Sequence, residues 1–528
     1  MLLWLLLACG PDDRTKPATA DSAMVGSQLS WVQLPEAHRR ADVWFARELI
    51  LAVDRAAVVD VDLEAGGERV TWQFDVSAGE QSLALVGLFP DATFVGTVRA
   101  THGVETITAP LEITTGPVPD DYPLLEALVH EPARMSPGWT FLPFDGIAWG
   151  KYFAALDEQL RPRWMWIPPN PVTEGRVHDG VVWWIGGGAI QGHTLLGDRV
   201  ARYAHWENSA GSIVVEDVRS FHHEAHPLDD GFLTLSTSLV HEPDFPNRSL
   251  TGRRPATLLS TTIVDLASDG TVRAQVDLAD VLDTTRVGWT SFELVTREEG
   301  EVLDWSHANA VIPTPDDAWI VSVRHQDALV KLDATGRIHW ILGTHDGWRA
   351  PWSDALLEPV GELDWPYHPH APELLPDGGI LVFDNHNYGS TPYDPPIDRP
   401  PPQRSRVTVY DVDEEAGTVR QRWTFDELTD GPVFAFALGD ADHLDNGDVL
   451  AVWGWVESEQ DVAYTSMGRG IRGARIVEFE PGAASPLVLD LRMTSPVYDV
   501  QPVGWSAYRA QRVERLHPAL MSWSTPAR

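Results

Sequence analysis

With 528 residues, the chain has ample material for a large core, most simply one big domain with a smaller companion. Its 77 acidic against 39 basic side chains give a formal charge of −38, which repels polyanions and argues against nucleic acid as a partner. Cys9 is the single cysteine, so no intramolecular disulfide can form.

The chain opens on Met1-Leu-Leu-Trp-Leu-Leu-Leu-Ala-Cys9, an apolar run too short to span a bilayer. Its Leu-Leu-Ala-Cys ending resembles the bacterial lipoprotein cleavage box, in which the cysteine is lipidated and becomes the first residue. Residues 1–9 are therefore expected to be a lipoprotein signal segment with Cys9 as lipidation site. The alternative is a stray cysteine in a truncated signal peptide. Residues 10–27 are polar and rich in Pro, Ser, Thr and Ala, as in a flexible tether. No other stretch approaches eighteen apolar residues, so the body is expected to be soluble and exported. Membrane contact would then run through the lipid anchor alone, in the periplasm or at the outer membrane.

Residues 28–117 read as short alternating strands, among them VWFARELILAV and ERVTWQFDV. Leu85–Thr115 looks like the last strands of a fibronectin III-like β-sandwich, with nothing in it that suggests catalysis. After a Pro/Asp linker, a unit of roughly 45–70 residues recurs through 124–528. Its first half is an Asp/Asn-Gly turn entering an apolar strand (DGFLTLST, DDAWIVSVR, DGGILVFDN, NGDVLAVWG). Its second half is a strand, an acidic turn and another strand, as in DALVKLDATGRIHWILG. About four antiparallel strands per unit make one propeller blade. Two less regular units come first, which brings the count to six blades, with YRAQRVERL near the C-terminus closing the ring. The expected architecture is all-β: a six-bladed β-propeller preceded by the small sandwich. Helical periodicity is nearly absent, and the 23 tryptophans suit the space between twisted blades. Residues 389–404 form a proline-rich insertion, expected as a loop over one face.

Histidines recur at one position of this unit. His223 and His370 each stand eight residues ahead of the turn glycine, in HEAHPLDDG and HAPELLPDG. His307 opens the same pattern stretched by three, if Ala318 takes the glycine's place. Repeats put equivalent residues at equivalent points around an axis, so three imidazoles are expected to face one another. Arg324 and Asp384-Asn385 lie past the turns of their units, while Gly439 replaces the histidine in the last regular one. His178, His193, His205, His241, His339 and His443 lack such company and read as structural or surface residues.

The motifs FHHEAHPLDDG, DWSHANAV, SVRHQDALVKLDATGRIHWILG and HAPELLPDGGILVFDN, in this order over roughly 140–516, resemble the bacterial arylsulfate sulfotransferases that need no nucleotide donor. That resemblance implies a six-bladed propeller with an N-terminal sandwich. It also implies transfer of a sulfuryl group from an aryl sulfate to a phenol through a transiently sulfated histidine, with no cofactor. Carried over, it makes His370 the nucleophile, with His223, His307 and Arg324 holding the sulfuryl oxygens. His222, Asn309, Asp384 and Asn385 become candidate substrate-binding residues. The residue types suit the chemistry independently. A sulfate monoester needs fixed cationic or hydrogen-bonding donors and one nucleophile. A neutral imidazole attacks near pH 7, and a guanidinium offers a planar fork of donors.

Two plainer explanations compete. Three histidines can ligate zinc, though spacings of 84 and 63 residues form no motif and an adjacent arginine opposes a cation; no metal is expected. Buried histidines can also simply cap strands. Gly186-Gly187-Gly188 follows a strand but opens no helix, so it is no phosphate loop. The rival function is a non-catalytic cell-surface β-propeller that binds a ligand or partner protein.

Overall fold

The computed structural model describes residues 28–524 except 147–150, 171, 173, 207–208, 289, 298, 388–403, 458–471 and 495–503. Cys9, the tether and nearly all of the proline-rich insertion lie outside the described residues. What is described is nearly all β, arranged in eight sheets with one four-residue α-helix, Leu278–Val281. No described helix is long and apolar enough to cross a membrane.

Two sheets hold the N-terminal segment. Trp31–His38, Ala46–Val53 and Gly79–Val86 form one; Ala57–Ala65, Glu68–Val76, Thr93–His102 and Glu105–Thr114 form the other. The alternation in AVVDVDLEA has a direct consequence. Val59, Val61 and Leu63 are buried against Val70, Trp72, Phe94 and Val98, each side chain contributing about 1.5–3 kcal/mol on burial.

A pairing with no sequence signal completes this sheet. Leu520–Ser524, near the C-terminus, pairs with Glu68–Val76 in the register Leu520↔Trp72 and Trp523↔Val70. In exchange Val43–Trp44 adds to Pro162–Trp166. Arg161 and Arg163 reach back to Glu68 at 2.6 and 3.2 Å, and Trp139 packs on Trp523 with ring centres 5.0 Å apart. Partners so far apart in sequence cannot be inferred from local pattern, because strand pairing is decided by packing.

The remaining six sheets are each built on an antiparallel meander, and three of them add a parallel pairing, by Ile213–Val215, Gly300–Asp304 and Glu358–Pro359. The first joins Trp139–Gly146, Lys151–Leu156 and Pro162–Trp166, and borrows Trp505–Ala507 as an added strand. The next five begin with Glu174–His178, Phe221–Leu228, Ala308–Pro313, Pro369–Leu374 and Asp440–His443. Each first strand packs against the sheet before it, and Trp505–Ala507 packs on the sixth sheet, which brings the sequence of contacts back to its start. Aromatic rings fill the joints. Trp166 meets Trp184 edge-on at 5.9 Å, Trp183 meets Phe232 at 4.9 Å, and Phe383 meets Trp453 at 5.3 Å, geometries favoured by the ring quadrupole.

The turn chemistry follows the sequence with one shift. Gly231 and Gly378 sit at φ +95° and +88°, and in the fourth sheet the left-handed residue is Asp317 at φ +59° rather than Ala318. Asp tolerates that region better than Ala because its side chain bonds locally. Gly439 stands at φ +137°, where a Cβ would lie 2.3 Å from the Phe383 ring. The missing histidine of the last unit is thus a packing requirement.

The first strands also carry buried charge. Glu224 accepts from Arg176 and Arg509, both at 2.7 Å, with Glu174 and Asp440 beside them. Such a network must be satisfied from several strands at once.

Leu520 is fully buried against this framework. Leu520→Ala is expected to cost about 2–5 kcal/mol, read as a lower denaturant midpoint. An unchanged midpoint would show that the last strand does not pack as described.

Candidate active site

The three recurrent histidines enter at irregular points of their strands. Pair register breaks between Phe221 and Ala225, between Ala308 and Ala310, and between His370 and Glu373. Left-handed backbone falls at His223 (φ +60°), His307 (+43°), His368 (+56°) and Ala371 (+45°). Bulges re-aim side chains, and non-glycine residues held at positive φ cluster at functional sites because the surroundings must pay that strain.

The rings converge. His223 and His307 lie 5.0 Å apart, and His325 stacks on His307 at 4.5 Å and 24°. Tyr508 stands 6.1 Å from His223 and 6.5 Å from His370. Asn309 Nδ2 and Ser322 Oγ both donate to the Pro369 carbonyl, at 2.9 and 2.8 Å, fixing the peptide that carries His370. Asn385 donates to the Ala435 and Leu438 carbonyls, and the Asn309 oxygen is buried without a partner among the described residues.

Asp384 behaves differently. Its carboxylate accepts from Tyr367 N, His386 N, His386 Nδ1 and Arg406 Nε. All its acceptor sites are engaged by Tyr367, His386 and Arg406, which leaves none for a small molecule.

Hydrogen-bond polarity fixes the imidazoles. Carbonyls only accept, so His370 Nδ1–H donates to the His368 carbonyl at 3.3 Å, and Nε2 keeps its lone pair in the neutral ring. Burial pushes His370 well below the ordinary histidine range, and the charges of Arg324 and His307 add to this; Asn385 and the His368 carbonyl oppose it. His325 Nδ1–H donates to the Asp304 carbonyl at 2.6 Å while its Nε2 accepts from Arg324 Nη1 at 2.9 Å. His307 Nδ1 meets the Asp304 carboxylate at 2.5 Å. Burial alone would raise Asp304, but His307 and His325 hold it well below the usual carboxylate range.

Arg324 is 4% exposed, and burial lowers its pKa to about 10, which leaves it charged at neutral pH. Nη2 donates to the Phe436 carbonyl at 3.1 Å, and Nε is buried with no partner among the described residues. A charged group with an unused buried donor is costly unless something anionic meets it.

A cavity of about 560 Å³ is lined by His222, His223, Asp304 and His307, and by Arg219 and Arg297. His205, expected to be structural, lines it as well. His193 does take a packing role, accepting from Trp184 Nε1 at 3.0 Å.

Donor atoms of Asp304, His307 and His325 lie within 4.8 Å of one another, but they fit a metal poorly. Both His325 nitrogens are committed, one of them to a guanidinium, so no lone pair remains there.

The arylsulfotransferase (ASST) family description matches residues 148–497. The chain belongs to that family. Arylsulfate sulfotransferase AssT of Escherichia coli O6:H1 is 30% identical over 140 residues, 23% of this chain and 23% of that protein. Its counterpart in Lelliottia amnigena is 31% identical over 144 residues, 24% and 23% respectively. The aligned segment thus spans about a quarter of each curated relative. Among solved structures, a Bacteroides caccae protein of unknown function aligns at TM-score 0.38 and 11% identity, covering 67% of this chain and 94% of its own. A streptogramin B lyase aligns at 0.30 and 10%, covering 71% and 98%.

Sequence alone singled out the histidines and Arg324 but gave His325 and Asp304 no role, although both stand beside chosen residues. Tyr508 opens YRAQRVERL, a segment that the sequence marked only as closing the ring and not as part of a site.

The unused guanidinium donor makes an anion site expected. Inorganic sulfate should raise the melting temperature with a saturable, RT ln(1 + [L]/Kd) dependence. Arg324→Ala should abolish that gain; an equal gain in the variant would place the sulfate elsewhere.

Proposed function

We propose that the chain moves a sulfuryl group from an aryl sulfate ester to a phenolic acceptor, with no nucleotide donor and no cofactor, through sulfated His370. The observation that carries this reading is the pairing of Arg324, whose buried Nε lacks a partner among the described residues, with a neutral His370 whose Nδ1 is committed to the His368 carbonyl, which leaves Nε2 as the lone-pair nitrogen. Family membership sets the reaction class, and these two atoms supply its parts.

In the first half-reaction Nε2 attacks sulfur. The N–S bond forms, the S–O bond to the aryl group breaks, and its electron pair leaves on the phenolate. Nδ1–H stays on the His368 carbonyl throughout, so His370 neither gains nor loses a proton. Arg324 and His307 meet the sulfuryl oxygens as charge builds there, and Asn309 and Ser322 hold the His370 segment through the Pro369 carbonyl. A preorganised donor of this kind is worth about 3 kcal/mol, or about 100-fold in rate. In the second half-reaction a phenol oxygen attacks the same sulfur and regenerates the imidazole.

The same proposal takes the six meanders as blades of one propeller, the 124–528 domain, with residues 28–117 as a fibronectin III-like sandwich docked on it. The closed order of contacts and the shared Trp505–Ala507 strand support this. It further takes the protein as exported and anchored through Cys9.

Brief exposure to 4-nitrophenyl sulfate should add one SO3, about 80 Da, to the intact protein, as expected for a covalent intermediate. His370→Ala should take up none, and Arg324→Ala should release nitrophenol about 100-fold more slowly. Persistent turnover in His370→Ala would remove the nucleophile assignment, and no turnover in any form would favour a binding protein. Expressed in a bacterial host, Cys9→Ser should change mature mass and membrane fractionation; unchanged fractionation would end the lipoprotein proposal.

A further inference from the structure

Sulfuryl transfer to a phenol leaves a proton to be placed, and His370 cannot take it, because its Nε2 is the atom bonded to sulfur. The residues beside it do have a place. His222 Nε2 lies 3.1 Å from the Ser236 carbonyl, and His222 Nδ1 lies 2.8 Å from His223 Nδ1. A carbonyl only accepts, so His222 Nε2 carries hydrogen. In the neutral ring its Nδ1 is then a lone pair, and His223 Nδ1–H must be the donor between them. That fixes His223 Nε2 as a lone pair, uncommitted among the described residues. His223 was expected to clamp sulfuryl oxygens, yet a neutral His223 in this tautomer has no hydrogen to offer them.

We propose that His223 is the proton-transfer residue of the reaction, and that His222 is a positioning residue that holds the His223 Nε2 lone pair ready and shares the charge once it is protonated. The proposal rests on the sulfotransferase reading. When the acceptor phenol attacks, its O–S bond forms, the N–S bond to His370 breaks, and the phenol proton passes to His223 Nε2. His223 is then an imidazolium whose Nδ1–H bonds the His222 lone pair, a charge-assisted hydrogen bond. In the next turnover that Nε2 proton goes to the departing phenolate, so the cycle balances with no proton gained or lost.

The surroundings fit a group that starts neutral. His223 faces His222, His307, His370, the Tyr508 ring and Asp304. Burial lowers it well below the ordinary histidine range, and the first three neighbours lower it further, with Asp304 opposing. Burial likewise brings His222 down to about 4. Both rings line the 560 Å³ cavity, through which an acceptor would approach.

The test separates the two half-reactions on the full chain. The first, read with 4-nitrophenyl sulfate as SO3 adduct and nitrophenolate burst, has a leaving group that needs no proton. The second is read with phenols of graded acidity. His222→Phe removes the acceptor of the Nδ1 bond, and His222→Asn keeps one near its place. The burst should survive in both variants. In His222→Phe, transfer to unsubstituted phenol should fall about 100-fold, the low end for general acid–base catalysis. Transfer to pentafluorophenol, already ionised at the assay pH, should change less than threefold, and His222→Asn should recover part of the loss. Equal losses across the phenols, or no loss, would overturn the proposal while leaving His370 as nucleophile. Absence of the adduct in the wild type would overturn both. In the unmutated chain, transfer to unsubstituted phenol should carry a solvent deuterium isotope effect that pentafluorophenol lacks; equal effects would also count against the relay.

Discussion

Burial imposes opposite outcomes on the groups that share this site, and the chemistry depends on that division. Removal from water disfavours charge on a guanidinium and on an imidazole alike. Arg324 begins so high that a fall to about 10 leaves it cationic, whereas His370 and His223 begin at 6.5 and end neutral. One desolvated space thus holds a permanent positive charge beside lone pairs that can attack or accept. Lysine would serve less well in place of Arg324, since burial shifts it more readily toward neutrality.

The neutral imidazoles are useful only because each is held in one tautomer. Backbone carbonyls do this at three places: His368 for His370, Ser236 for His222, and Asp304 for His325. A carbonyl cannot donate, so it orients a ring without competing for the proton in transfer. The His368 and Asp304 carbonyls stand at strand ends, and Ser236 stands opposite the register break between Phe221 and Ala225. The strand irregularities that put His223 and His307 in left-handed backbone thus lie close to the carbonyls that orient their neighbours.

Much of this was legible in the order of residues. Alternation in AVVDVDLEA and the Asp-Gly turns identified strands, and the eight-residue interval from His223 and His370 to the turn glycine placed both at matching points of matching units. The motifs around His307 and Arg324 carried the family. Other features were not legible. The pairing of Leu520–Ser524 with Glu68–Val76 joins segments over 400 positions apart, and no local pattern reports such a partner. Asp384 looked like a counterpart of Arg324, but the left-handed turn residue is Asp317, so the two positions are offset by one and their side chains go to different work. Offsets of one residue reverse the face of a strand.

By itself, the sequence determined which strands form, where they turn, and that histidines recur in register with an arginine nearby, because period-two burial and left-handed turn positions are properties of neighbouring residues. Only the tertiary structure decided which imidazoles meet, which nitrogen of each keeps its lone pair, and that Arg324 stays charged with a donor to spare. Those outcomes depend on carbonyls, carboxylates and desolvation contributed by strands far apart in the chain, and such fields exist only once the sheets have closed on one another.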